Sequence, residues 1–173
     1  QLHAVQTGNI SYDSFLVKNI TRHWHKALES LRPYFPLVKW YHRKKQEGKK
    51  AILTAPCVFS TSRPTLCFEV TKKDGILGLE TQIAINDTLF PLKAFQRTHF
   101  LLESKNEYFI LAYRDYRTLE RLSEIDYHQY GHSAELFSTQ VLSELEEHYK
   151  ADRGEFFLRT SVSVTPVNRL LLT

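Results

Sequence analysis

Residues 65–122 read TLCFEVTKKDGILGLETQIAINDTLFPLKAFQRTHFLLESKNEYFILAYRDYRTLERL, and the reading of this stretch decides the fold. Leu66, Phe68 and Val70 alternate with Cys67, Glu69 and Thr71, and Leu77, Leu79, Ile83 and Ile85 stand against Glu80, Gln82 and Asn86. A period of two marks strands with one buried face. Asp74-Gly75 between the first two runs is a hairpin signal, Asn86-Asp87 marks the next reversal, and Ser104-Lys105-Asn106 separates Thr98–Glu103 from Tyr108–Leu111. Tyr108–Leu111 is apolar on both faces, as a central strand requires. Asp115 then caps a short helix carrying Tyr116, Leu119 and Leu122 on one side. The stretch thus predicts a four-strand meander followed by a helix, and it contains no catalytic constellation.

Before it, Leu16, Ile20, Trp24, Leu28 and Leu31 recur at spacings of three and four, one stripe of an amphipathic helix over 11–32. Ser11 serves as its N-cap, Asp13 lies in its first turn, and Pro33 and Pro36 end it. After the meander, Phe137, Val141 and Leu145 form the stripe of a longer helix, with Leu142 and Tyr149 beside it. Phe156–Val164 and Arg169–Leu172 read as closing strands. The expected class is α+β: an antiparallel meander sheet of four to six strands, an N-terminal amphipathic helix, and two later helices packed on one face. A single domain is expected over 1–173, with a basic loop at 39–50.

At 173 residues the chain is long enough to bury a core, and its 13% aromatic content supplies bulky groups to fill it. No apolar run approaches the roughly 18 residues of a membrane span, and no charged-then-apolar leader opens the chain. Cys57 and Cys67 offer no second pair for a zinc framework. The chain reads as a soluble, cytoplasmic segment of a longer protein, with no membrane partner.

The charge is concentrated in one place. Lys39, Arg43, Lys44, Lys45, Lys49 and Lys50 face the single acid Glu47, a local net charge of +5, which leaves 17 cations against 18 acids over the rest. Trp40, Tyr41 and His42 are interleaved with them. Cations beside aromatics meet phosphates and stack on unpaired bases, so Lys39, Trp40, Tyr41, Arg43, Lys44, Lys45, Lys49 and Lys50 are the candidate nucleic-acid residues, with DNA as the partner. The alternative is a solvated loop anchored by Trp40.

Catalytic readings find less. His23 and His25 are two apart on a helix and point away from each other, so they do not share a metal. Glu103-Ser104-Lys105 with Asp87 upstream is a faint match to the acid and Glu-x-Lys arrangement that holds magnesium in restriction-type nucleases. Gly48-Lys49-Lys50 lacks the upstream glycine and the following Ser or Thr of a phosphate loop. The segment is read as non-enzymatic, without a cofactor or metal of its own.

Leu66–Val70, Ile83–Leu92, Phe100–Leu102, Asn106–Leu111 and Asp115–Leu119, followed by Leu142–Tyr149 and Val164–Leu172, resemble in order the region preceding the motor in bacterial SWI/SNF-family DEAD/DEAH-box helicases, particularly long forms from Bacteroidetes. The resemblance covers about the last two thirds of the chain. It implies an accessory domain of a DNA-dependent ATPase whose motor, with its ATP and magnesium, lies further toward the C-terminus. The implied partners are DNA and that motor. No catalytic residue of the family has a counterpart here, and two isolated cysteines do not supply the zinc motif of some relatives. A protein-interaction module without nucleic-acid binding, centred on Tyr127, Tyr130 and the Glu-rich late helix, is the competing class.

Overall fold

The computed structural model describes residues 10–45, 52–130 and 133–154, with side chains at 15–43, 54–130 and 133–154. The chain is α+β. The described residues fall into two compact units, the first within Gln1–Leu66 and Gln82–Ile125, the second within Cys67–Thr81 and Asp126–Thr173. The domain expected over 1–173 is therefore built of two units, and the chain passes between them inside strands. The closing strands expected at 156–164 and 169–172 lie outside the described residues.

The first unit opens with α1 (Ile10–Leu31) and a 3-10 turn at Arg32–Leu37, where Pro33 and Pro36 stop the helix. Ser11 lies inside α1, which is already helical at Ile10. Strands β1 (Trp40–Lys45) and β2 (Ile52–Phe59) follow as an antiparallel pair. The basic loop expected at 39–50 is thus strand over its first half. Trp40 and His42 alternate with Tyr41 and Arg43, and this period of two was hidden beneath the charge.

The strands of the meander are β3 (Thr65–Lys73), β4 (Ile76–Ile85), β5 (Thr88–Pro91), β6 (Gln96–Thr98), β7 (Leu101–Ser104) and β8 (Glu107–Ile110). Its turns are chemically legible. Asp74 and Gly75 have φ of 53° and 84°, Asn86 and Asp87 48° and 64°, Lys105 and Asn106 49° and 67°. Positive φ at both central residues matches two-residue hairpins whose twist suits the flanking strands, and Gly, Asn and Asp enter that region at least cost. One break was not foreseen: the run Thr98–Glu103 is divided at His99, φ 53°, so that β6 folds back onto β7.

The strands form a five-stranded sheet, order β1-β2-β8-β7-β6, and a four-stranded sheet, order β5-β4-β3-β9, where β9 is Lys150–Asp152. Strand β8 is central in the first, as its two apolar faces required. It pairs in parallel with β2, Val58 opposite Glu107 and Phe59 opposite Tyr108. Helix α2 (Tyr113–Ser123) completes this unit. It begins at Tyr113, so the cap position is Ala112, three residues before Asp115, which lies in the first turn; the helix buries Tyr116, Leu119 and Leu122 as expected.

Helix α1 does not use the face its apolar stripe suggested. Ile20 is 60% and Trp24 40% exposed, with Leu16 and Leu31 also exposed, while Thr21 and His25 are buried. His25 Nε2–H donates to the Leu111 carbonyl at 2.9 Å, which satisfies the buried ring and holds the helix to the chain after β8. At the end of α1, Arg32 is buried and donates to the Thr61, Ser62 and Ile110 carbonyls at 3.2, 2.9 and 3.3 Å and to both oxygens of Glu29. Hydrogen-bonding groups anchor this helix on the side away from most of its apolar stripe, of which Trp24 also meets Phe100, ring centres 4.9 Å apart.

In the second unit, β3 pairs in parallel with β9, Phe68 opposite Ala151. Short helices α3 (Ala134–Phe137) and α4 (Ser143–Glu146) are joined by a π-turn at Ser138–Leu142. The stripe Phe137, Val141, Leu145 is buried together with Leu142. Ser133 caps α3 by accepting from the Leu136 amide at 3.3 Å. Tyr149 stands edge-on to Phe68, ring centres 5.3 Å apart, and ties the end of this helical run to β3.

Candidate nucleic-acid interface

Strand β1 is an edge of the five-stranded sheet, and its alternation sorts the basic run into two rows. The inner row is structural. The Trp40 indole donates to the Phe35 carbonyl at 3.3 Å, and its ring lies 5.6 Å from Phe35 and 4.7 Å from Phe59. Trp40, one of the candidate binding residues, is placed as the anchor of the strand. His42 Nδ1–H donates to the Tyr108 hydroxyl at 2.8 Å, and that hydroxyl donates to Glu103 Oε2 at 3.0 Å. The Tyr108 ring also stacks on Phe59 at 5.2 Å. A chain of polar contacts therefore fixes the edge strand to the centre of the sheet.

Burial, then the hydrogen bond and charge of Glu103 and the nearby Cys57 thiol, push the Tyr108 phenol up to about 12. A raised folded value favours the neutral phenol. The stabilisation it gives is fully present below pH 10 and is lost as pH rises through about 12. Alkaline absorbance titration is expected to show a tyrosine ionising near pH 12 that Tyr108→Phe removes. Persistence of that step in the variant would show that Glu103 does not hold this hydroxyl.

The outer row is Lys39, Tyr41 and Arg43, all exposed, with Tyr41 at 61%. Register carries the same face across the sheet. Tyr41 lies opposite Pro56 and Val58 opposite Glu107, so Tyr41, Arg43, Pro56, Val58, Glu107 and Phe109 share one side. A shallow cavity of about 460 Å³ lies over Pro56, Val58, Lys105, Asn106 and Glu107. A second, also about 460 Å³, shares Lys105 and Glu107 with it. Phe90, Phe95 and Phe109 give the second its apolar wall, and Ser60, Ser62, Thr88, Ser104 and Asn86 its polar one. Phe95 is edge-on to both Phe90 and Phe109, at 6.1 and 6.0 Å.

Of the candidate residues, Lys39, Tyr41 and Arg43 are thus brought together. Lys44 and Lys45 continue β1, though their side chains lie outside the described residues, as do Lys49 and Lys50 entirely. Lys105, which lines both cavities, reads from sequence only as a turn residue and as part of the Glu-x-Lys arrangement. The Glu-x-Lys arrangement does not converge: Glu103 bonds Tyr108 on the inner face, Lys105 lines the cavities of the outer one, and Asp87 sits in a separate hairpin turn. Among the described residues no group of three or more His, Cys, Asp or Glu is placed to hold a metal. No described helix is long and apolar enough to cross a membrane.

Comparison with protein-family models, with curated proteins and with solved structures gives no match.

Proposed function

We propose that this chain is a non-catalytic accessory domain of a nucleic-acid-dependent ATPase of the SWI/SNF type it resembles, contacting DNA through the outer row of β1. One observation carries the contact: Tyr41 and Arg43 stand exposed on one side of an edge strand pinned by Trp40 and His42, and the exposed Lys39 immediately precedes that strand. A rigid strand presents two cations and a ring at fixed spacing, so less ordering entropy is lost on binding than a mobile basic loop would lose.

The 173-residue chain is expected to bind a fluorescein-labelled oligonucleotide with affinity that falls steeply with salt. Lys39→Glu with Arg43→Glu removes two phosphate contacts and is expected to reduce the log-log salt slope by about 2. Unchanged binding overturns the contact. The exposed stripe Leu16, Ile20, Trp24 and Leu31 on α1 favours a second reading, a protein-interaction module, which that outcome leaves standing.

A further inference from the structure

The outer face of the five-stranded sheet continues past the two cations. From β1 it passes over Pro56 and the exposed Val58 to Lys105 and Glu107, then into the cavity walled by Phe90, Phe95 and Phe109. We infer that this face is a track for single-stranded nucleic acid and that the Phe-walled cavity receives one unstacked base bearing an exocyclic amine. The inference rests on the nucleic-acid reading above and names the form of strand and the base it takes.

Three observations lead there. Tyr41 offers an exposed ring on the outer face of a sheet, and the outer row lies on a strand rather than on a helix suited to a major groove. In a duplex the base faces are already stacked, whereas a single strand splays its bases onto aromatic rings. Next, the cavity mixes ring faces with hydroxyls and an amide. Ser60, Ser62, Thr88 and Ser104 donate and accept, as does Asn86, which suits the edge of a heteroaromatic ring better than a hydrocarbon. Its volume of about 460 Å³ falls in the range of small-molecule sites.

Charge supplies the third. Lys105 is exposed and common to both cavities, in position to meet a phosphate, while the half-buried Glu107 lines both as well. A carboxylate repels phosphate, so the backbone stays on the cations and the base enters. A carboxylate also only accepts hydrogen bonds, and it pairs with the exocyclic amine of cytosine, adenine or guanine, which thymine and uracil lack.

The test uses the 173-residue chain with labelled oligo(dC), oligo(dT) and an equivalent duplex, read by fluorescence anisotropy. Expected are tighter binding of single strands than duplex and about a tenfold preference for oligo(dC) over oligo(dT). Phe95→Leu keeps the apolar bulk and removes the ring. It is expected to weaken oligo(dC) binding about tenfold with the salt slope unchanged, because base stacking is lost and phosphate contacts remain. Glu107→Gln is expected to erase most of the preference for oligo(dC). Should the Lys39/Arg43 reversal weaken binding while both cavity variants behave as the parent, the base site is overturned and the nucleic-acid contact stands. Duplex binding as tight as single-strand binding overturns the track. No binding to any oligonucleotide removes both.

Discussion

Arg32→Leu is expected to lower the unfolding free energy of the first unit by about 3–5 kcal/mol, the range for removing one partner of a buried ion pair. Arg32 is 6% exposed and occupies five hydrogen-bond positions at once, two with Glu29 and one each with the Thr61, Ser62 and Ile110 carbonyls. Leucine restores apolar volume but leaves three carbonyls without their donor and the half-buried Glu29 carboxylate with only the exposed Arg63 beside it. The Ile110 carbonyl, the buried one of the three, costs about 1–3 kcal/mol when deserted, and the partly exposed Thr61 and Ser62 carbonyls cost less. Glu29→Gln is a milder change, since Arg32 keeps the three carbonyls and a neutral acceptor stays in place. The asymmetry between the two variants is the observable, read from denaturant midpoints. Trp24 and Trp40 are the chain's two tryptophans and both lie in the first unit, so their fluorescence follows its unfolding. Equal losses from the two variants would mean that the carbonyl contacts carry no weight.

The same pair has an acid signature. Burial pushes the Glu29 carboxyl up, but the Arg32 hydrogen bond and the charges of Arg32, Arg63 and His25 outweigh it and leave the group below its ordinary 4.5. A depressed folded value means stabilisation that is present above pH 4.5 and lost as pH falls through the folded value. Arg63, 3.2 Å from Glu29, is well exposed, so its share of this effect is the one that salt screens.

These anchors also show where sequence reading stops. The hairpins at Asp74-Gly75, Asn86-Asp87 and Lys105-Asn106 were legible because turn chemistry is local: left-handed φ favours Gly, Asn and Asp, which hold five of these six positions, whatever packs around them. The central place of β8 was legible because a strand buried on both faces has no polar side to show. Helix α1 was legible as a helix and misleading as a surface. Its 3.6-residue period identifies an apolar stripe, yet the buried side carries Thr21 and His25, and the helix is held by His25 and Arg32, whose partners lie far along the chain. The parallel pairing of β2 with β8 was hidden for a related reason, since turn signals fix only neighbouring strands. At the candidate interface the charge excess was plain, but the cavity was not. It is assembled from Ser60, Asn86, Phe95 and Lys105, four positions with no common motif.

Phe100→Ala is expected to cost about 3–5 kcal/mol, the range for deleting a fully buried phenyl ring. Phe100 is 0% exposed and lies in the turn between β6 and β7. Its ring meets Trp24 and His25 of α1, both at 4.9 Å, and is edge-on to Tyr116 of α2 at 6.4 Å, while its carbonyl accepts from the Leu111 amide at 2.9 Å. One side chain thus joins both helices of the first unit to the sheet. Alanine removes the ring from three partners, and the cavity closes only as far as the His25–Leu111 hydrogen bond lets α1 move. Each aromatic pair adds about 0.5–1.5 kcal/mol beyond area burial, so a double-mutant cycle between Trp24→Ala and Phe100→Ala should return a coupling of that size. A loss below about 1 kcal/mol, far under the cavity range, would mean that hydrogen bonds from His25 and Arg32 hold α1 alone. Arg32→Leu would then exceed Phe100→Ala severalfold, whereas a shared clamp makes the two losses comparable.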